Sequence, residues 1–174
     1  KEFNMKNEVE LVEKEKIYTL EISAKATMPQ MPKLIKTSYK EIVDYFEKNN
    51  KSPETAPYIR YTQLDWEKIN TQNKIVAFFK MFTQKWQMLI GFPVSTPIDG
   101  EGKITAGFIP AGKYVKAIHK GDYMKVGNTY KKMVTFINDK KLKMGTESIE
   151  FYLNDPKEVK KEDLLTEVLI PIAE

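Results

Sequence analysis

Ser148-Ile-Glu-Phe-Tyr-Leu-Asn-Asp-Pro156 is the stretch from which the rest of the chain is read. Ile149 to Leu153 has the apolar and aromatic content of a short strand, and the Asn-Asp-Pro that follows is a turn signal. Side chains alternate along a strand, so Glu150 and Tyr152 share one face and Phe151 takes the other. A carboxylate beside a phenol in so apolar a segment is either an edge-strand group reaching water or a polar group in a pocket. Taken alone, the strand leaves both readings open.

Working outward, the elements around this strand occur twice. Thr129-Tyr-Lys-Lys-Met-Val-Thr-Phe136 lies on Ser38-Tyr-Lys-Glu-Ile-Val-Asp-Tyr45 without a gap, and the same offset places Tyr152 on Tyr61 and Glu150 on Ile59. Apolar residues at helical spacing predict a helix over about Lys33 to Asn49 and another over Tyr123 to Lys141, with Asp122 as its N-cap. Val9 to Ile22 alternates as a strand, and Ala24 to Pro32 reads as a loop with Pro32 at the first helical turn. Further strands are expected at Pro57–Thr62, Met88–Val94, Lys113–Gly121 and Val168–Ile172. Strand, helix, strand, strand is therefore used twice. The boundaries expected within one domain spanning 1–174 are about 8–94 for the first module and about 103–172 for the second. Residues 63–87 form an insertion in the first module with no counterpart in the second. It is rich in large apolar groups and includes a short helix expected near Lys74–Thr83.

Composition narrows the function classes. The 174 residues suffice for one packed core, and 41% hydrophobic content argues against long disorder. No cysteine is present, which removes disulfides, thiol nucleophiles and cysteine metal sites. The net charge of +4 is almost all lysine, with Arg60 the one arginine, so direct reading of nucleic-acid bases is not expected. No apolar run approaches the ~20 residues of a membrane span, no signal-peptide pattern opens the chain, and the default expectation is a cytoplasmic location. No phosphate loop, metalloprotease helix, nucleophile elbow or clustered metal ligands appear, so no cofactor and no metal are expected.

Three stretches carry a resemblance. Ile90-Gly-Phe-Pro-Val94 precedes the acidic turn Asp99-Gly-Glu-Gly102, Pro110-Ala-Gly-Lys-Tyr-Val-Lys-Ala-Ile-His-Lys-Gly-Asp-Tyr123 follows, and Glu150-Phe-Tyr-Leu-Asn-Asp-Pro156 is backed by Leu164-Leu-Thr-Glu-Val-Leu-Ile-Pro171. In this order they resemble the GyrI-like (gyrase-inhibitor-like) small-molecule-binding domains, seen also as effector-binding modules of multidrug-responsive bacterial regulators. The resemblance is strongest from Met88 to Ile172 and extends through the repeat to Glu8–Thr62. It implies an α+β fold: duplicated strand–helix–strand–strand modules related by a pseudo-twofold axis, an antiparallel sheet with two main helices, and a groove near the axis. It also implies that a strand glutamate, here Glu150, reaches into that groove and pairs with cationic or polar ligands. No helix-turn-helix pattern precedes these motifs, so a binding module rather than a complete transcription regulator is expected.

The candidate ligand-binding residues are Glu150, Tyr152, Tyr61 and Ile59, with Tyr58, Phe92, Phe108, Tyr123 and Trp66 as weaker ones. Aromatic walls suit flat or cationic ligands. His119, Glu167 and Trp86 read as structural. The expected function is a stand-alone protein that holds an amphipathic or cationic small molecule for sensing or sequestration. One rival is a hydrolase that opens the cyclopropane rings of DNA-alkylating natural products, with Glu150 and Tyr152 as its catalytic pair. The other is a protein-binding module of gyrase-inhibitor type.

Overall fold

Periodicity in the sequence becomes nine strands and two long helices among the described residues of the computed structural model, which are 8–66, 68 and 83–173. The strands are β1 (Val9–Lys14), β2 (Ile17–Ala26), β3 (Tyr58–Thr62), β4 (Trp86–Val94), β5 (Ile104–Ile109), β6 (Gly112–Lys120), β7 (Lys143–Met144), β8 (Ser148–Tyr152) and β9 (Leu165–Ala173). The helices are α1 (Met31–Lys48) and α2 (Val126–Asp139). Ser38, Ile42 and Phe46 form the buried stripe of α1, and Met133 and Ile137 that of α2. Each helix is followed by a residue in the left-handed region that suits chain reversal, Asn50 (φ 51°) and Lys141 (φ 55°).

All pairings are antiparallel, in the order β1-β6-β9-β8-β3-β4-β2-β5, with β7 added beside β9. The fold is thus α+β, with β2-α1-β3-β4 matched by β6-α2-β8-β9 about a pseudo-twofold axis. That axis passes between β3 and β8. Ile59 pairs in register with Glu150, the residue that the 91-residue repeat offset assigns as its own counterpart. Each leading strand is exchanged: β1 pairs with β6, and β5 pairs with β2.

This exchange shapes the sheet. Only Glu15 and Lys16 join β1 to β2, and only Pro110 and Ala111 join β5 to β6, although each pair lies six places apart in the strand order. Six spacings of a flat sheet cover roughly 28 Å, whereas such a linker reaches roughly 10 Å. The sheet must therefore curl until its two ends approach each other. The concave side holds its own core, Tyr58, Ile109, Tyr114, Ile149, Phe151 and Leu169, with no helical residue in it. Arg60 bridges the curl: Nε and Nη2 bond Glu147 at 2.8 and 3.1 Å, and Nη1 donates to the carbonyl of Phe108 at 3.0 Å.

The helices cover the opposite face. Ile42 and Phe46 of α1 pack on Leu20, Ile22, Phe92, Val94 and Ile104, and Met133 and Ile137 of α2 on Val115, Ala117, Val168 and Ile170. Each such side chain contributes roughly 1.5–3 kcal/mol by leaving water. Because α1 rides over β2 and β4 and α2 over β6, the central pair β3 and β8 is left as the floor between them. No helix among the described residues is long and apolar enough to cross a membrane.

Several boundaries differ from expectation. The strand expected over Val9–Ile22 is two strands, broken at Glu15-Lys16 where the chain passes from one end of the sheet to the other. Most of the expected loop from Ala24 is taken up by the end of β2 and a 3₁₀ turn, Met28–Gln30. The second expected helix begins with another 3₁₀ turn, Tyr123–Lys125, and it is this turn that Asp122 caps by accepting from the Met124 amide at 3.0 Å. Strands β5 and β7 were not anticipated. Most of the helix expected near Lys74–Thr83 lies outside the described residues.

A buried polar cluster on the concave side makes one position sensitive. Glu21 accepts hydrogen bonds from the Tyr58 and Thr19 hydroxyls, the latter at 3.0 Å, and a Cβ added at Gly107 would lie 2.2 Å from Glu21 Oε1. Gly107→Ala should therefore cost about 1–3 kcal/mol in urea denaturation. Gly127→Ala, on α2 with nothing within 4 Å, should leave stability unchanged or raise it by up to about 1 kcal/mol. Equal effects of the two substitutions would contradict this packing.

Candidate functional site

Strand parity brings the site together. Ser148, Glu150 and Tyr152 of β8 face the helices, as do Ile59 and Tyr61 of β3, while Tyr58, Arg60, Ile149 and Phe151 face the concave core. Glu150 is 7% exposed, and both its carboxylate oxygens are engaged. Tyr130 of α2 donates to Oε1 and Tyr152 to Oε2, each at 2.8 Å. The Ser148 hydroxyl lies 2.9 Å from that of Tyr130, so it donates there when Tyr130 donates to Glu150. Tyr61 packs in the same cluster as Tyr152, and the Tyr123 ring meets the Tyr152 ring edge-on at 5.5 Å.

The electrostatics follow from burial. Desolvation raises the pKa of Glu150 above its ordinary 4.5, and the hydrogen bonds from Tyr130 and Tyr152, with the charge of His119, oppose that rise. Burial also raises Tyr130, Tyr152 and Tyr61, and the neighbouring Glu150 adds to each shift. Burial likewise raises Tyr39 of α1, which packs with Tyr61 and Tyr152 against the Ile59 cluster and donates its hydroxyl to the Tyr58 carbonyl at 2.9 Å. A ring of phenols that stay protonated thus surrounds one carboxylate.

The pseudo-twofold axis makes the aromatic rim symmetric and the polarity asymmetric. Tyr39 corresponds to Tyr130, and Tyr61 to Tyr152, by the repeat offset. Register carries the comparison outward. Tyr61 pairs with Met88 and Met88 with Ala24, whereas Tyr152 pairs with Thr166 and Thr166 with His119. Ile59, Met88 and Ala24 occupy one half, packed against Met31, Leu34 and Ile35 of α1; Glu150, Thr166 and His119 occupy the equivalent places in the other. One wall is apolar and the other polar.

The structure brings Glu150, Tyr152, Tyr61, Ile59 and Tyr123 together, but it places other candidates elsewhere. Tyr58 is fully buried on the concave side and bonded to Glu21, because it is one residue out of phase with Ile59. Phe108 is 49% exposed on β5 at the far end of the sheet, its ring beneath the Lys16 ammonium. Phe92 packs edge-on against Tyr39 and Phe46 in the α1 core. Trp66 donates to the Gly145 carbonyl at 2.7 Å and lies 6.2 Å from the Tyr130 ring, so it touches the site through that tyrosine. Glu167 faces the concave side, with Lys14 and Lys116 within 4 Å. The Trp86 indole N–H is buried without a partner among the described residues.

Sequence reasoning missed Tyr130, Tyr39, Ser148 and Thr166. In the sequence Tyr130 is one position on an apolar helix face, and only its repeat partner Tyr39 marks it as part of a pair. His119 is structural in part: Nε2 lies 2.9 Å from the Asp122 carbonyl and so carries its hydrogen, and Nδ1 lies 2.8 Å from the Thr129 hydroxyl. Among the described residues no group of His, Asp and Glu is arranged to hold a metal ion.

With this geometry in place, comparison with known proteins is informative. A profile of the GyrI-like small molecule binding domain matches residues 7–173. No curated protein matches in sequence. The fold is similar to that of EcmrR in its complex with DNA (TM-score 0.70, 19% identity), covering 95% of this chain and 57% of that one. It is similar also to a hydrolase from Listeria innocua (TM-score 0.63, 12% identity, 98% and 94% covered) and to SAV2435 bound to tetraphenylphosphonium (TM-score 0.63, 12% identity, 96% and 94% covered).

Glu150 makes stability depend on pH with a definite sign. Its raised pKa means that the native state holds the proton more tightly than the unfolded chain. The stability of the protein relative to Glu150→Gln should be greatest below pH 4.5 and fall as pH rises through the window up to the raised value. Urea titrations of both proteins across that range measure the difference, and a flat or rising difference would contradict the desolvated placement.

Proposed function

The chain belongs to the GyrI-like small-molecule-binding family, and from that premise we propose that it holds an amphipathic or cationic small molecule between α1 and α2, beside Glu150, for sensing or sequestration. The observation that carries this reading is the buried carboxylate of Glu150, held by the phenols of Tyr130 and Tyr152. A desolvated carboxylate is costly unless compensated, and an organic cation compensates it while its apolar parts meet the Ile59–Met88 wall. Tyrosine faces around the groove add cation–π attraction. SAV2435, which shares the fold, was solved bound to tetraphenylphosphonium, a hydrophobic cation.

Turnover is the second reading, favoured by the phenols that flank a carboxylate and by the fold likeness to a Listeria innocua hydrolase. In that reading Glu150 takes a proton from a water that attacks a cyclopropane carbon, the ring C–C bond breaks with its electrons passing into a conjugated carbonyl, and a tyrosine protonates that carbonyl oxygen. Two features favour holding over turnover: both Glu150 oxygens already accept phenol protons, and phenols with raised pKa values are weak acids.

Calorimetric titration with tetraphenylphosphonium tests the proposal. Saturable binding is expected, strengthening as pH rises from 4.5 through the raised pKa of Glu150 and then levelling, because only the ionised form pairs with a cation. Glu150→Gln should weaken it by about 1–3 kcal/mol and remove the pH dependence, while a neutral polyaromatic of similar size is unaffected. Loss of affinity for neither compound in Glu150→Gln would contradict the role of Glu150. Recovery of a water-added product from a cyclopropane alkylator, absent with Glu150→Gln, would establish hydrolysis instead. Silence of the protein towards all these compounds would leave the protein-partner reading.

A further inference from the structure

Thr166 stands out in the polar half of the groove. It is 1% exposed, and its hydroxyl has no hydrogen-bond partner among the described residues. Such a group costs stability wherever it is left unmade, so it calls for an explanation. Its flanking neighbours in the row across the sheet are committed elsewhere. Tyr152, paired with Thr166 on one side, donates its one hydroxyl proton to Glu150; His119, paired on the other, is bonded through both nitrogens to Asp122 and Thr129. The fold itself does not need a hydroxyl here. The pseudo-twofold counterpart of Thr166 is Met88, which is fully buried and apolar in the same structural setting.

We propose that Thr166 is a specificity-determining residue of the ligand groove: its hydroxyl bonds an oxygen-bearing group of the bound cation. This rests on the binding reading given above and narrows the ligand class. Thr166 sits diagonally from Glu150, since Glu150 pairs with Val168 and Tyr152 with Thr166. Diagonal neighbours on one face of a sheet lie roughly 7–8 Å apart, within the span of a short polar arm. The ligand class is therefore a hydrophobic cation carrying a hydroxyl, carbonyl or ether oxygen a few bonds from its positive centre. A threonine hydroxyl serves any of these, since it both donates and accepts.

The test compares propyltriphenylphosphonium with (3-hydroxypropyl)triphenylphosphonium by calorimetry on the wild-type protein, Thr166→Val and Thr166→Ser. The hydroxylated probe should bind the wild type roughly fivefold or more tightly than the propyl probe, the equivalent of one hydrogen bond. Thr166→Val should erase that preference without changing the propyl probe, and Thr166→Ser should retain it. Without ligand, Thr166→Val should raise Tm by roughly 2–4 °C, because an unmatched buried hydroxyl is removed. A preference that survives in Thr166→Val, equal binding of both probes to the wild type, or a fall in Tm would overturn the assignment while leaving the binding reading standing. Failure of either phosphonium to bind the wild type would overturn both.

Discussion

The pairing of Ile59 with Glu150 is the constraint from which the rest of the structure follows. Antiparallel strands β3 and β8 meet there, each residue facing its own counterpart in the repeat, so the register of this one pair sets the symmetry axis. From it, β4 and β2 extend one way and β9 and β6 the other, and each half carries its helix on the same face. The leading strands then cross over on two-residue linkers, and the sheet has to curl. The curl gives the concave side a core of its own, separate from those that pack beneath the two helices. A slip of one residue in the β3–β8 register would turn Glu150 into the concave core and Phe151 into the groove.

Symmetry and its breaking divide the work of the groove. Duplication supplies matched pairs of tyrosines at its rim, Tyr39 with Tyr130 and Tyr61 with Tyr152. Divergence places Glu150, Thr166 and His119 where the first half has Ile59, Met88 and Ala24. Because Ile59 stands at the position equivalent to Glu150, the repeat supplies no second carboxylate opposite it. The two phenols that hold its oxygens offset part of the desolvation penalty but leave its charge unneutralised, which is the condition for attracting a cation.

Much of this was legible in the sequence because it depends on periodicity. The repeat offset found the axis, strand alternation put Glu150, Tyr152 and Ile59 on one face, and helical spacing found both helices. What stayed hidden depends on register and curvature. Tyr58 adjoins Ile59 in the chain and therefore points the other way. Phe108 lies on an exchanged strand, β5, whose partner no local pattern announces, and Val9–Ile22 alternates through the break that sends its two parts to opposite ends of the sheet. Tyr130 looked like any apolar position on a helix, since periodicity tells which face is buried but not which hydroxyl meets a carboxylate. The family to which the chain belongs was legible from three motifs in order; the partners of Glu150 were not.

The central claim is that Glu150 is a desolvated carboxylate whose charge is completed by a cationic ligand. A carbon-13 NMR titration of the Glu150 carboxyl, without and with saturating tetraphenylphosphonium, tests it most directly. The account predicts a pKa above 4.5 in the free protein and a fall when the cation binds. An ordinary glutamate pKa that the bound cation leaves unmoved would contradict it.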